Sequence, residues 1–231
     1  MLRLDEASSG PDARLVELID EFSKIVNTKT FPCTFSTLPY TTGEIYFSRV
    51  HAKTDPAKYV LTELKELCRT IIKSPEAVGI IFVDDGRART LEDDFALASD
   101  IVQHVIRATA SSPGNADLPK PDDPWWTLWL DGIGLFVNFS TPNHRARRSR
   151  NVGSVFTLIG QARAAFDRLN RASPRARDEI RQRLRSYDDV PPHPALGAYS
   201  DPASREAWQY FLGDTTEAYD PTEACPHDAS R

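Results

Sequence analysis

The sequence predicts a single α+β domain with a mainly antiparallel central sheet flanked by helices. Segments with a helical apolar spacing and segments of strand-forming residues both recur, about five of each. They do not follow the regular strand–helix alternation of a doubly wound fold, and neither a glycine-rich nucleotide loop nor an internal repeat is present. Asp131-Gly132, set between two apolar runs, is a strong two-residue hairpin signal and commits the sheet to an antiparallel pair.

Residues 1–11 read as a disordered leader ending in Gly10-Pro11. A helix follows, with Leu15, Leu18, Ile19, Phe22, Ile25 and Val26 on one face. Phe31 to Phe35 is short and rich in strand formers, Thr41-Thr42-Gly43 reads as a turn, and Glu44 to Val50 as a strand. Asp55-Pro56 is a cap followed by proline at the first helical position, and Val60, Leu64, Leu67, Cys68 and Ile71 give that helix its buried stripe. Ala77 to Val83 is an apolar strand stopped by Asp84-Asp85-Gly86. Thr90-Leu-Glu-Asp93 resembles a capping box and opens a helix bearing Phe95, Ala98, Ile101, Val102 and Val105.

Residues 111–123 form a Pro/Gly/Asp loop. Strands over 126–130, 133–139 and 152–159 are expected to make the centre of the sheet. Ser173-Pro174 starts a last amphipathic helix through Tyr187, with Ile180, Leu184 and Tyr187 facing inward. Beyond Pro191 turns dominate, with one short helical piece near Trp208 to Leu212. The domain is thus expected over 12–213, with an acidic, flexible tail over 214–231.

Composition excludes several classes. A chain of 231 residues, 40% hydrophobic and 26% charged, can bury one substantial core. No apolar run reaches the roughly 18 residues of a membrane span, and the N-terminus lacks the apolar core of a signal peptide, so a cytoplasmic protein without a membrane partner is expected. Cys33, Cys68 and Cys225 are too few and too scattered for a disulfide framework or a zinc site.

Charge is unevenly spread. Between Ser140 and Arg185 twelve arginines face only Asp167, Asp178 and Glu179, in a chain whose net charge is −5. All seven lysines lie at or before Lys120, so the basic half is purely arginine, the residue suited to fixed recognition of oxyanions. A GC-rich genome would give the same bias.

The densest constellation is His144 to Arg150, which sets one histidine beside Arg145, Arg147, Arg148 and Arg150, shortly after Trp125-Trp126-Thr-Leu-Trp129. A neutral imidazole can hold a metal, guanidinium groups can hold carboxylates, and an aromatic wall including Trp129 can cover a flat cofactor. These needs coincide in a heme pocket, with His144 as axial ligand and the arginines on the propionates. The plain alternative for His144 is an exposed loop histidine. Cys33 competes as a thiolate ligand, against a plain role as a core cysteine beside Phe31 and Phe35. Cys68 belongs to a buried helix stripe, and Cys225 and His227 fall in the tail. His51 follows a strand and can approach the pocket from its other side, His104 reads as solvated, and His193 sits in a rigid Pro-Pro-His-Pro turn.

A cationic substrate needs a carboxylate. Asp84, Asp85, Glu92, Asp93, Asp94 and Asp131 cluster at strand ends and a helix start, where turn-forming and capping roles compete with guanidinium binding.

Two blocks, Phe31-Pro32-Cys33-Thr34-Phe35 and Phe136 to Asn151, with its Pro-x-His-x-x-x-Arg-Ser-Arg core, together resemble the YqcI/YcgG family. Gln161 to Asp167, Ile180-Arg181, Tyr187-Asp188 and His193 to Tyr199 continue the resemblance in order, over about residues 30–214. Within the family the chain most resembles the L-arginine N-omega-hydroxylases of D-cycloserine biosynthesis. The resemblance implies a heme-dependent monooxygenase of antibiotic biosynthesis that uses heme b (iron), O2 and an external electron donor to hydroxylate a guanidino amino acid. It also implies His144 as axial ligand, with Arg145, Arg148 and Arg150 on the propionates and Cys33 in the same pocket. The partners are then the small-molecule substrate and a redox partner or reductant, with a homodimer left open. A non-catalytic heme carrier or sensor would need the same pocket. An Arg-rich nucleic-acid-binding module is a third reading, opposed by a pI of 5.6.

Overall fold

The structure, a computed structural model, describes residues 1–112, 115, 117–171 and 173–223. Six strands form one sheet: β1 (Leu2–Arg3), β2 (Ile45–Val50), β3 (Val78–Val83), β4 (Leu128–Leu130), β5 (Ile133–Ser140) and β6 (Phe156–Ala162). Their spatial order is β1-β2-β3-β6-β5-β4. Seven helices accompany them among the described residues: α1 (Leu4–Ser8), α2 (Ala13–Val26), α3 (Leu38–Thr42), α4 (Pro56–Lys73), α5 (Leu91–Ala110), α6 (Arg163–Arg168) and α7 (Pro174–Tyr187). The α+β class holds, with every strand pair antiparallel except one.

That exception is β2 with β3, joined through α4, the single strand–helix–strand crossover in the sheet. The hairpin is where its turn signal puts it, since Asp131 and Gly132 adopt φ of 48° and 77°, the left-handed pair such a turn requires. The strand that precedes the turn nevertheless lies at the sheet's edge. β3 and β6 form the centre, because both are long and apolar enough to be covered on two faces. Residues 31–35 join no strand, and β6 starts four residues later than expected.

Strand alternation sorts the two faces. Tyr46, Ile81, Val83, Leu135, Val137, Phe139, Phe156 and Leu158 pack on α4 and α5. Gly79 and Gly160 are cross-strand partners on this face, where an added Cβ would stand 2.9 and 3.1 Å from Leu67 methyls; α4 therefore rests directly on the sheet. Ile45, Phe47, Val78, Ile80 and Phe82 face α2, whose apolar stripe is the expected one. The caps are also as read: Asp55 accepts from the Lys58 N–H at 3.2 Å, and Thr90 and Asp93 cap reciprocally.

The described residues near both ends take part in the fold. The first residues form β1 and α1, held by β2 and by burial of Ala7. Residues 219–223 pack on α5, where Ser99 donates to the Pro221 and Glu223 carbonyls and Tyr219 lies against Phe95 and Phe211. Cys225 and His227 lie outside the described residues. No described helix is long and apolar enough to cross a membrane.

Candidate functional site

A cavity of about 280 Å³ lies on the α2 face of the sheet. Its floor is the outward set of β2, β3, β5 and β6: Ile45, Val78, Ile80, Phe136, Asn138, Ile159 and Gln161. Phe22 of α2 and Ile180 and Leu184 of α7 close its sides, and the 31–36 segment crosses it. That segment fails as a strand but delivers Phe31, Cys33 and Phe35 to the wall. The polar members are few: the Cys33 thiol, Arg147, Arg150 and Arg171, with short amides and hydroxyls. An apolar enclosure with a few convergent polar groups is the usual form of a small-molecule site.

The His144–Arg150 loop splits its side chains between two sides. Arg147 and Arg150 bracket a 3-10 turn (Arg148–Arg150), in which side chains three apart eclipse, so both point inward and are buried. Arg145 and Arg148, also three apart, point away. Arg145 is exposed, and Arg148 lies over the Tyr187 ring and pairs with Asp189 at 3.4 Å. Neither lines the cavity.

Most donors of this loop go to the segment 209–215. Arg147 Nε donates to the Gly213 carbonyl at 2.7 Å, its terminal nitrogens donate to Pro191 and Thr215 carbonyls, and Asp188 stands 3.9 Å away. Asp214 accepts the backbone N–H of Arg145, Ala146 and Arg147. Burial pushes the Asp214 carboxyl up, but those three bonds and the His144 neighbourhood more than reverse it, leaving its pKa lowered.

His144 is 1% exposed and absent from the cavity wall. Its Nε2 lies 2.7 Å from the Leu212 carbonyl, so that nitrogen carries the proton and donates. Nδ1 is then a buried acceptor without a partner. Burial pulls the imidazole pKa below its ordinary value, keeping the ring neutral. The ring anchors Leu212, which does line the cavity.

Cys33 is half-buried and on the wall. Burial pushes its thiol up, while the Phe35 N–H and the charges of Arg171 and Arg150 pull the other way. Arg150 is held by the Gln209 and Tyr210 carbonyls, with no ion pair among the described residues. Burial, and Arg147 beside it, bring it down to about 9, still cationic at neutral pH. Asp188 supports the Arg150 charge only at a distance, and a buried guanidinium without a contacting carboxylate on an apolar cavity favours an anion.

The other expected residues lie elsewhere. Trp129 sits on edge strand β4, beyond β5 where the cavity ends, and packs at the margin of the α4–α5 core. His51 is exposed and bonded to the Asp84 carbonyl at 2.7 Å, and His104 pairs with Asp100. His193 is buried and fully engaged, accepting from the Ala195 N–H and donating to the Glu217 carbonyl. Asp84, Asp85 and Asp94 line a separate polar pocket with Arg14, Arg87 and Arg89 and are satisfied within it. Asp93 caps α5, Asp131 forms the hairpin turn and Glu92 is exposed. Four of the twelve clustered arginines, Arg147, Arg150, Arg163 and Arg171, are buried, which removes a third of the set from any phosphate contact. No group of three or more described His, Cys, Asp or Glu side chains is arranged to hold a metal ion.

A buried carboxylate that the sequence does not single out is Glu206, although an acid beside Ala207, Trp208, Tyr210, Phe211 and Leu212 is a readable signal of burial. It accepts from the Thr127 hydroxyl at 2.5 Å and the Tyr210 hydroxyl at 3.0 Å, and pairs with Arg163 at 3.2 Å. Burial raises its pKa to about 7 against these partners. Between the ordinary 4.5 and about 7 the folded chain keeps a proton that the unfolded chain has lost, so stability falls as pH rises through that window, by on the order of 3 kcal/mol. Glu206→Gln is expected to flatten this dependence in urea unfolding at about pH 5 and about pH 8, and an unchanged slope would refute the assignment.

Among known proteins, one of Streptomyces lavendulae named "Putative N(omega)-hydroxy-L-arginine synthase DcsA" is 29% identical over 222 residues, 90% of this chain and 82% of that protein. Two proteins of Bacillus subtilis (strain 168), "Uncharacterized protein YcgG" and "Uncharacterized protein YqcI", are 41% and 40% identical over 102 residues, 42% of this chain. The chain matches 40% of the length of each Bacillus relative. No solved structure matches it. The YqcI/YcgG family model spans residues 22–228, the cavity and both flanking loops included, and the chain belongs to the YqcI/YcgG family.

Proposed function

We propose that this chain is a heme-dependent monooxygenase that hydroxylates a guanidine nitrogen of L-arginine, or of a related guanidino amino acid, with heme b, O2 and an external electron donor, to supply natural-product biosynthesis. The observation that carries the reading is the cavity, an aromatic enclosure with one thiol and buried, under-compensated guanidiniums. The likeness to a protein named for hydroxyarginine synthesis supplies the substrate class.

The residues fit a flat, apolar, dianionic cofactor. Phe22, Phe31, Phe35 and Phe136 offer ring faces, and Arg150 and Arg171 offer buried cations for its acidic groups. Cys33 is the iron ligand in this reading, since its thiol is on the cavity wall whereas the buried His144 ring is not. Bound there, heme would supply O2 binding and oxidising power, with a thiolate favouring O–O cleavage. The chain's own work is to exclude water with the aromatic wall, to hold the Cys33 sulfur beside the Arg150 and Arg171 charges, which partly offset the burial that raises its pKa, and to fix the wall through the His144–Leu212 and Arg147–Gly213 bonds.

Absorption spectroscopy with added hemin, oxidised and then reduced under CO, tests the reading alongside mass spectrometry of L-arginine incubated with O2 and a reductant. A Soret band of thiolate type and hydroxyarginine are expected. A protein that takes up no hemin would remove the cofactor, and pigment without product from any guanidino compound would leave only a carrier or sensor.

A further inference from the structure

A second chamber of about 150 Å³ adjoins the cavity and shares Phe136, Phe166, Arg171, Ile180 and Leu196 with it. Four guanidiniums, Arg163, Arg171, Arg177 and Arg181, line it against a single carboxylate, Glu206. That carboxylate is already engaged by Arg163, whose guanidinium is stacked between the Phe166 and Tyr199 rings at 5.0 and 4.4 Å. The chamber therefore keeps a surplus of positive charge.

The surplus sits on Arg171, Arg177 and Arg181. Arg171 is 6% exposed; it bonds Gln161 at 2.8 Å and leaves Nε buried without a partner where the two volumes meet. Arg177 and Arg181 are one turn apart on α7, a spacing at which like charges repel. Arg181 donates to the Leu196 carbonyl and stands 3.6 Å from Asp178, itself mostly exposed; among the described residues Arg177 has no side-chain hydrogen bond or ion pair. Guanidiniums held this way on the rim of a small pocket match the two oxygens of a carboxylate.

We propose that this chamber is the subsite for the α-carboxylate of an amino-acid substrate, held by Arg177 and Arg181 with Arg171 at the junction, so that the side chain runs past Phe136 and Phe166 into the apolar cavity. The guanidino identity of that side chain rests on the hydroxylase reading; the carboxylate does not. A carboxylate of a tetrapyrrole in the cavity would satisfy the same guanidiniums, and the test separates the two sources.

The test is calorimetric titration of the full chain with L-arginine and with agmatine, its decarboxylated analogue, for wild type, R177Q, R177K and R177Q/R181Q, with heme content read from absorbance. Wild type is expected to prefer L-arginine by about tenfold or more, and R177Q/R181Q to bring the two ligands within about twofold, chiefly by weakening L-arginine. R177K, which keeps the charge, should retain most of the preference, and heme content should match wild type throughout. A preference that survives the double substitution overturns the subsite, as does a wild type that binds both ligands equally or neither. Heme lost from R177Q/R181Q with the preference intact assigns the guanidiniums to the tetrapyrrole instead. If R177Q/R181Q loses the preference while wild type forms no hydroxyarginine, the hydroxylase reading falls and the subsite stands. If R177Q/R181Q hydroxylates L-arginine with the wild-type preference over agmatine, the subsite falls and the reading stands.

Discussion

Cys33→Ala is expected to lose at least about nine-tenths of bound heme with its stability little changed, and His144→Ala to be less stable but still to bind heme while folded. Cys33 is half-buried on the wall of a cavity, so removing its sulfur deletes few packing contacts. His144 is 1% exposed, lies 5.5 Å from the Phe211 ring and donates to the Leu212 carbonyl. Truncating it opens a void and strands an acceptor, a change that costs about 2–4 kcal/mol. Hemin titration followed at the Soret band, with circular dichroism melts of the same samples, separates the roles. A His144→Ala protein that melts like wild type but stays colourless would return the ligand to the histidine.

Arg147→Met is expected to destabilise the fold by about 3–5 kcal/mol, lowering Tm by roughly 10 °C. Methionine fills much of the volume, so the loss isolates the guanidinium. Three carbonyls, on Pro191, Gly213 and Thr215, would lose their donor at once, and Asp188 would lose a buried cation. Burial lowers the pKa of Arg147, so loss of solvation opposes its charge while Asp188 and Asp214 support it. The substitution therefore also relieves a desolvation cost, and the net effect depends on the stranded carbonyls dominating. Urea unfolding measures it; a midpoint shift worth less than about 1 kcal/mol would show that the 209–215 segment is held by packing rather than by this side chain.

Helices and strands were legible wherever side-chain period and end chemistry agreed. The stripes of α2, α4 and α5, the Asp55 and Thr90 caps and the Asp131-Gly132 turn all form where residue type predicts. The 31–35 segment misled because its apolar side chains line a cavity rather than a sheet face, and apolar content alone cannot distinguish the two. β1 is held by pairing with Tyr46 and Phe47, partners distant in sequence that no local pattern specifies.

For the site, the chain itself specified the ingredients: a thiol among phenylalanines, a histidine in an arginine-rich loop, and a surplus of guanidiniums downstream. Which of them meet was decided only by the fold. A 3-10 turn directs Arg147 and Arg150 inward and Arg145 and Arg148 outward, while sheet order leaves Trp129 on the far edge. The acceptors that occupy His144 and Arg147 are backbone carbonyls of residues 212 and 213, and every residue carries an identical carbonyl. A partner of that kind has no side-chain identity to read, so only three-dimensional proximity assigns it.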